Sequence, residues 1–180
     1  MYFLAAILPL LALTTSISAS PIQKRYNGVK IQSSRNDLCL SPLPQPQLRG
    51  DNATETTYAD GDKVGVTDCA DAQVWDINPG SGSIVLTGTN FALDAGTGTD
   101  NNEEVKLWTS YPGLFQQTWY FTTDNRIAIT GGDQCLDQGN DEEGTQTWQC
   151  TTGNTNQEWH VFYPADNGED NGDGNGEASS

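Results

Sequence analysis

The amino-acid sequence predicts an all-β protein assembled from three copies of one four-stranded unit. Three observations lead to this prediction: the composition, an internal repeat, and a series of short alternating strands. The chain has 180 residues, which is enough for one domain with short additions. Beyond its apolar N-terminal segment, Ala, Leu, Glu, Lys and Arg are scarce, whereas Gly, Asn, Thr, Ser and Gln are abundant. This composition disfavours long helices and favours short strands joined by turns.

The charge balance excludes several classes of partner and chemistry. Lys and Arg number 8 and Asp and Glu number 24, so the net charge is −16 at neutral pH. Such a surface repels nucleic acid and anionic membranes, and no membrane insertion is expected. One His and four Cys leave little material for a metal site or a His-based triad, so neither metal nor cofactor is expected. His160 stands alone beside a predicted core Trp. Glycosidases need only paired carboxylates, but nothing in the sequence singles out a pair, so the sequence predicts no enzyme.

The N-terminal segment has the features of a processed leader. Residues 1–19 contain an apolar run too short to span a bilayer, followed by small residues, which predicts a secretory signal peptide. A core strand or an anchor is the alternative. The pair Lys24-Arg25 resembles the site of a processing protease, so residues 20–25 are a candidate propeptide, with two solvated charges as the alternative.

The C-terminal residues 164–180 are acidic and Gly-rich, and they contain no large apolar side chain. Such a segment buries too little surface to offset the entropy of ordering it, so we expect a disordered tail that aids solubility or binds a partner. Residues 26–163 remain as the folded body.

The folded body contains a threefold internal repeat. Gln73, Gln117 and Gln157 each begin a Gln-x-Trp tripeptide, and these tripeptides lie 44 and 40 residues apart. Residues 83–94 also align with residues 126–137 without a gap. Near-equal spacing of this kind indicates three copies of one structural unit that share a core. A matching turn of Cys or Ala, then Leu, then Ser or Asp precedes each tripeptide, at residues 39–41, 92–94 and 135–137.

Each repeat contains four short runs of alternating apolar residues, which predict twelve strands with no helical pattern between them. The Trp residues of the three tripeptides have apolar neighbours two positions later and are predicted to lie in the core. The predicted strands cover residues 26–31, 38–40, 63–66 and 74–77; 83–86, 91–93, 105–108 and 118–121; and 126–129, 134–136, 147–149 and 158–162.

These repeats resemble the ricin-type lectin family, and the resemblance covers the whole folded body. It implies a β-trefoil, in which six strands form a barrel and three hairpins cap it. It further implies a secreted, extracellular, monomeric protein whose partners are glycans on glycoproteins or glycolipids. The dibasic pair and the acidic tail suit a secreted fungal member of the family.

Four cysteines in a secreted chain are expected to pair, and they allow three connectivities. The family resemblance implies a disulfide between Cys135 and Cys150 within the third repeat. By the same template, Cys39 pairs with Cys69 in the first repeat. The second repeat has Ala92 and Ser110 at the matching positions and no bridge.

A sugar site needs an aromatic face, a carboxylate acceptor and amides that both donate and accept. The resemblance implies a galactose-type site in the third repeat, although each residue alone is compatible with a turn or core role. A second site of altered preference is expected in the second repeat, where Lys106 stands in the Gln146 position. The first repeat has Ser41 and Thr67 in place of the Asp and Trp, so no site is expected there. The candidate residues are Asp137, Gln146, Trp148, Asn156 and Gln157 in the third repeat, and Asp94, Trp108, Gln116 and Gln117 in the second.

A Pro-rich insertion over residues 41–61 supports a rival function. Three Pro in five residues favour an extended surface segment. The insertion holds an N-glycosylation sequon at Asn52 and an Arg-Gly-Asp tripeptide that begins at Arg49, which chance explains in a polar loop. A protruding loop of this kind is the feature through which a β-trefoil protease inhibitor or secreted effector would act without sugar binding.

Overall fold

The computed structural model describes residues 26–43, 57–78, 80–139 and 144–164. The expected signal peptide, the dibasic pair, the sequon at Asn52, the Arg-Gly-Asp tripeptide and the acidic tail beyond residue 164 lie outside these residues. No helix within the described ranges has the length and apolar character needed to cross a membrane.

All twelve predicted strands are confirmed, with ends that differ from the prediction by a few residues at most. The described residues contain no α-helix, but two one-turn 3₁₀ helices that the sequence pattern did not predict lie at Phe115–Gln117 and Thr155–Gln157. The strands are β1 Tyr26–Ser33, β2 Cys39–Pro42, β3 Val64–Thr67, β4 Trp75–Ile77, β5 Ile84–Leu86, β6 Phe91–Asp94, β7 Lys106–Thr109, β8 Trp119–Phe121, β9 Ile127–Ile129, β10 Gln134–Gln138, β11 Thr145–Gln149 and β12 Trp159–Phe162.

Six of the strands form a closed barrel. Strand β1 pairs with both β4 and β12, β4 pairs with β5, and β8 pairs with β9, all antiparallel. Two isolated bridges complete the ring: Gly82 with Trp119 joins the β5 and β8 sides, and Arg126 with Glu158 joins the β9 and β12 sides. A closed ring leaves no strand edge open in the barrel wall.

The other six strands form three hairpins, β2–β3, β6–β7 and β10–β11, that cap the barrel. The hairpins contact one another in a ring. Lys63 bridges to Lys106, and Glu104 bridges to Gln146. The Thr145 hydroxyl closes the ring by donating to the Val64 carbonyl at 2.9 Å. This arrangement is the expected β-trefoil.

The three Trp residues of the tripeptides fill the centre of the molecule and are at most 1% exposed. Each indole N–H donates to the carbonyl of the Leu in the matching turn of its own repeat, so every buried indole is satisfied. The predicted core role of these residues is thereby confirmed. The pairs are Trp75 with Leu40 at 2.9 Å, Trp119 with Leu93 at 2.9 Å, and Trp159 with Leu136 at 3.0 Å.

Two disulfides join the first and third hairpins to the loops that follow them. Cys39 pairs with Cys69, and Cys135 pairs with Cys150, as expected. Closing the 15-residue separation of the second pair contributes about 3 kcal/mol in the chain-entropy view. Each bridge fixes the loop just beyond the outer strand of its hairpin, which is the loop that completes the candidate site in the third repeat.

Candidate functional site

The hairpin registers show that the predicted site residues occupy equivalent positions in the three repeats. In each hairpin, the first strand (β2, β6 or β10) is the inner strand and the second (β3, β7 or β11) is the outer strand. The Cys or Ala that begins the turn on the inner strand pairs with the predicted aromatic position of the outer strand. Two residues further, the Asp position pairs with the Gln position. The pairs are Cys39 with Thr67, Ala92 with Trp108, and Cys135 with Trp148; and then Ser41 with Gly65, Asp94 with Lys106, and Asp137 with Gln146.

The third repeat brings a carboxylate, two amides and an indole together. Asp137 is 3% exposed. The Gln146 amide donates to one of its oxygens at 3.2 Å, and the Asn154 amide donates to the other at 3.3 Å. Trp148 follows Gln146 by two residues on β11, so it lies on the same face of the strand, and it is 36% exposed. The amides hold the carboxylate in place beside an accessible aromatic ring.

Burial is the main influence on the Asp137 carboxylate. It raises the pKa above the ordinary value, because the charged form loses water. Hydrogen bonds from the amides of Gln146, Gln157 and Asn154, and the charge of Arg35, oppose this rise in pKa only in part. The carboxylate therefore takes up a proton at a higher pH than an exposed Asp does.

Gln117 and Gln157 support the sites from inside the fold. The Gln157 side chain is fully buried; its oxygen accepts from the Thr151 N–H at 2.8 Å, and its nitrogen donates to the Gln149 carbonyl at 3.0 Å. Gln117 makes the equivalent bonds in the second repeat and also donates to Asp94 at 2.9 Å. Both predicted glutamines thus lie beneath the candidate sites, where their hydrogen bonds fix the loop that follows the outer strand.

Asn154 is a site residue that the sequence reasoning missed. Its carboxamide oxygen accepts from the Asn156 N–H at 3.2 Å, which caps the 3₁₀ helix, while its nitrogen reaches Asp137. Asn156, the amide that was predicted, lies within the 3₁₀ helix and is half-buried. The available signal was an Asn directly after Gly153, a combination typical of a turn that leads into a capped helix.

The second repeat keeps the carboxylate and the indole but changes their neighbours. Asp94 accepts from the Gly96 N–H at 2.8 Å and from Gln117 at 2.9 Å. Leu114 occupies the position of Asn154, so the matching amide is missing. Trp108 is 37% exposed, and the Lys106 ammonium lies 5.5 Å from the centre of its ring. The half-buried Gln116 accepts from the Ala95 N–H at 3.0 Å through its backbone carbonyl.

The first repeat offers neither carboxylate nor aromatic ring at the matching positions. The Ser41 hydroxyl accepts from the Gln73 N–H at 3.2 Å. Gln73 follows Thr67 by six residues, whereas Gln117 follows Trp108 by nine, so this loop lacks the 3₁₀ helix. The buried Lys30 ammonium holds the shorter loop by donating to the Cys69 carbonyl at 2.7 Å and to the Ala72 carbonyl.

Each site-bearing hairpin is also braced by a side chain from the preceding segment. The Asn101 carboxamide oxygen accepts from the Gln149 N–H at 2.7 Å. The Asp60 carboxylate does the same for the Thr109 N–H at 2.5 Å. These two equivalent contacts fix the outer strands that carry the exposed indoles, and sequence spacing alone did not reveal them.

No three His, Cys, Asp or Glu side chains in the described ranges come together as metal ligands. The exposed His160 ring instead makes a 3.0 Å hydrogen bond with the Ser34 hydroxyl. The arrangement of Asp137, Trp148 and their amides can accept hydroxyl protons and stack on an apolar ring face, which is the chemistry of sugar recognition.

The fold and the site define a β-trefoil protein of the lectin class. A family model of the ricin-type beta-trefoil lectin domain matches residues 27–159, so the chain belongs to that family. No curated protein matches the chain significantly.

Solved structures show the same fold. The designed threefold-symmetric protein ThreeFoil is 20% identical with a TM-score of 0.58, over 74% of this chain and 96% of that chain. The C-half of an earthworm R-type lectin, solved in complex with GalNAc, is 22% identical with a TM-score of 0.52, over 76% of this chain and 98% of that chain. The mdaA-1 domain is 14% identical with a TM-score of 0.58, over 83% of this chain and 99% of that chain.

Proposed function

We propose that this protein is a secreted lectin whose third repeat binds galactose-type sugars. The observation that carries the proposal is the geometry around Asp137: a carboxylate held by Gln146 and Asn154 beside the accessible ring of Trp148. Membership of a lectin family supports carbohydrate binding in general. The earthworm lectin that shares the fold was solved with GalNAc, which supports the galactose-type preference.

Each side chain has a distinct task in this proposal. The Asp137 carboxylate accepts bonds from two sugar hydroxyls, and the Trp148 ring packs on the C–H face of the sugar. An axial hydroxyl leaves one face of a galactose ring rich in C–H groups, which suits such stacking. Gln146 and Asn154 keep the carboxylate oriented, and Gln157 keeps the loop in place beneath it.

The second repeat is proposed as a weaker site of different preference. It retains Asp94 and Trp108, but Lys106 and Leu114 replace the two side-chain amides that flank the carboxylate in the third repeat. Two sites on one monomer would bind a glycan-bearing surface more tightly than one site does, by effective concentration. The ligands are then glycans on glycoproteins or glycolipids.

Secretion and processing belong to the same proposal. The two disulfides suit an oxidising compartment. We propose a mature chain that begins at Tyr26, or near Ser20 where the dibasic pair is not cut, and that carries a glycan at Asn52. Intact mass before and after glycosidase treatment of the secreted protein tests both points. A secreted chain that still begins at Met1 would contradict the processing.

The function is tested by a glycan array followed by calorimetric titration with a galactoside. Trp148→Ala is expected to stay folded and to lose affinity at the third repeat by about tenfold or more, as for a lost stacking contact of about 1–3 kcal/mol. Thr67→Ala, at the equivalent position of the first repeat, is the matched control and should bind like wild type. If no glycan binds and the protein inhibits a protease, the loop over residues 41–61 carries the function instead.

A further inference from the structure

The second repeat carries an exposed apolar strip that the third repeat lacks. Trp108, Tyr111, Leu114 and Phe115 are between 37% and 55% exposed and lie within one stretch of eight residues. We propose, building on the function above, that this strip makes the second repeat a site for glycosides with an apolar aglycone, such as an aryl or alkyl group. The residues at the equivalent positions of the third repeat are Trp148, Thr151, Asn154 and Thr155.

The equivalence rests on hydrogen bonds and not on alignment alone. The Tyr111 N–H donates to Gln117 just as the Thr151 N–H donates to Gln157, both at 2.8 Å. The Leu114 N–H donates to the Tyr111 carbonyl at 3.0 Å, and the Asn154 N–H bonds in the same way in its own repeat. Leu114 therefore occupies the backbone position from which Asn154 reaches Asp137 in the third repeat.

The Phe115 ring lies close to two glycines. A Cβ added at Gly98 would lie 3.4 Å from the Phe115 ring, and one added at Gly132 would lie 3.3 Å from it. The ring thus packs between the loop that follows Asp94 and the first turn of the third repeat, and it remains 38% exposed. An apolar group that contacts it meets a surface that is already ordered, which lowers the entropic cost of binding.

The side chains that differ between the two repeats make the second repeat better suited to apolar contacts than the third. The second repeat lacks the amide of Asn154, and its Lys106 ammonium lies over the Trp108 ring. A bare sugar therefore finds fewer partners there than in the third repeat. An apolar aglycone on the same sugar gains contact with Leu114 and Phe115, because removing apolar surface from water is favourable.

The ligand is a glycoside and not a second protein copy. Leu114 caps the 3₁₀ helix that contains Phe115 and Gln117. The Gln117 amide donates to Asp94 at 2.9 Å. The strip thus adjoins the carboxylate through this helix, so its occupant has both a hydroxylated and an apolar part. A second copy brings the same net charge of −16, which opposes self-association through this face.

The test compares methyl and phenyl β-galactoside by calorimetry in Asp137→Asn protein, in which the third site is silenced. Phenyl galactoside is expected to bind about tenfold more tightly than methyl galactoside, as for burial of roughly 50 Å² of apolar surface. Leu114→Asn should bring that ratio close to one, because phenyl galactoside loses its apolar contact. Phe115→Thr should also lower it. In Asp94→Asn protein, the matched swap Asn154→Leu should raise the ratio at the third site.

Four outcomes would overturn the inference, and each identifies a different reason. Equal binding of both galactosides, unchanged by Leu114→Asn, rejects the aglycone contact but leaves the lectin function intact. Binding of neither galactoside by wild-type protein rejects both proposals. Equally tight binding of phenol alone shows an apolar site unrelated to sugar. A dimer in light scattering that Leu114→Asn abolishes assigns the strip to self-association.

Discussion

The second and third repeats share one frame but differ at the points that would touch a ligand. In both, a buried Gln holds the loop, a buried Trp bonds the turn, and an Asp stands beside an exposed indole. The two positions that flank the carboxylate differ, with Gln146 and Asn154 in one repeat and Lys106 and Leu114 in the other. The frame is thus set by the core, and ligand preference is free to change at a few exposed positions.

The largest expected effect concerns the shared frame. Trp119→Ala and Trp159→Ala should each lower the free energy of unfolding by about 3–5 kcal/mol, because each leaves a cavity at the centre of the fold. Trp148→Ala should lower it by clearly less, about 1–2 kcal/mol, since 36% of that side chain is exposed and its removal leaves no central cavity. Denaturant unfolding measures all three. An equally large loss for Trp148→Ala would make that residue part of the core and remove the proposed site.

The fold was predictable from the sequence because the residues that repeat are the ones that form the core. Gln-x-Trp spacing located the buried indoles, and all twelve strands followed from apolar alternation. The 3₁₀ helices were not predictable in this way, because one turn of polar residues carries no apolar period. Asn154 lies in the same turn, so the apolar pattern gave no sign of this second amide partner of Asp137.

An intermediate effect concerns the pH dependence of sugar binding at the third repeat. Because burial raises the pKa of Asp137, galactoside affinity at the third repeat should fall as the pH drops toward that raised pKa, above the ordinary value of 3.8. Protonation turns one acceptor oxygen into a donor. Calorimetric titration of Asp94→Asn protein over a pH series measures this loss. Affinity that stays constant even below pH 3.8, the ordinary pKa of Asp, would contradict the role of the ionised carboxylate.

The same shift makes a prediction for stability. The folded state binds the Asp137 proton more tightly than the unfolded state, so this group lowers stability as the pH rises through its raised pKa. Asp137→Asn should therefore be no less stable than wild type at neutral pH, and any advantage should shrink on acidification. Thermal unfolding at several pH values checks this. A variant that is less stable at neutral pH would show that the carboxylate supports the fold.

The smallest expected effect concerns Lys106. Its ammonium over the Trp108 ring is worth about 0.5–1 kcal/mol at an exposed site, and a stacking sugar must displace it. Lys106→Gln in Asp137→Asn protein should therefore raise the affinity of the second repeat for methyl galactoside by about twofold to fivefold. Calorimetry measures the gain, and the reverse change, Gln146→Lys in Asp94→Asn protein, is the matched control. A loss of affinity with Lys106→Gln would show that the ammonium contacts the sugar.

One titration tests directly whether Asp137, Asn154 and Trp148 form a galactose-type site. Methyl β-galactoside is added to isotope-labelled wild-type protein, while NMR follows the indole N–H signals of Trp148 and Trp108 and the side-chain amide of Asn154. The signals of Trp148 and Asn154 are expected to shift together at the lowest sugar concentrations. The Trp108 signal should follow only at higher concentrations, and the signal of the buried Trp75 should not shift. Shifts confined to Trp108, or no shift at Trp148 and Asn154 at saturating sugar, would contradict this site assignment.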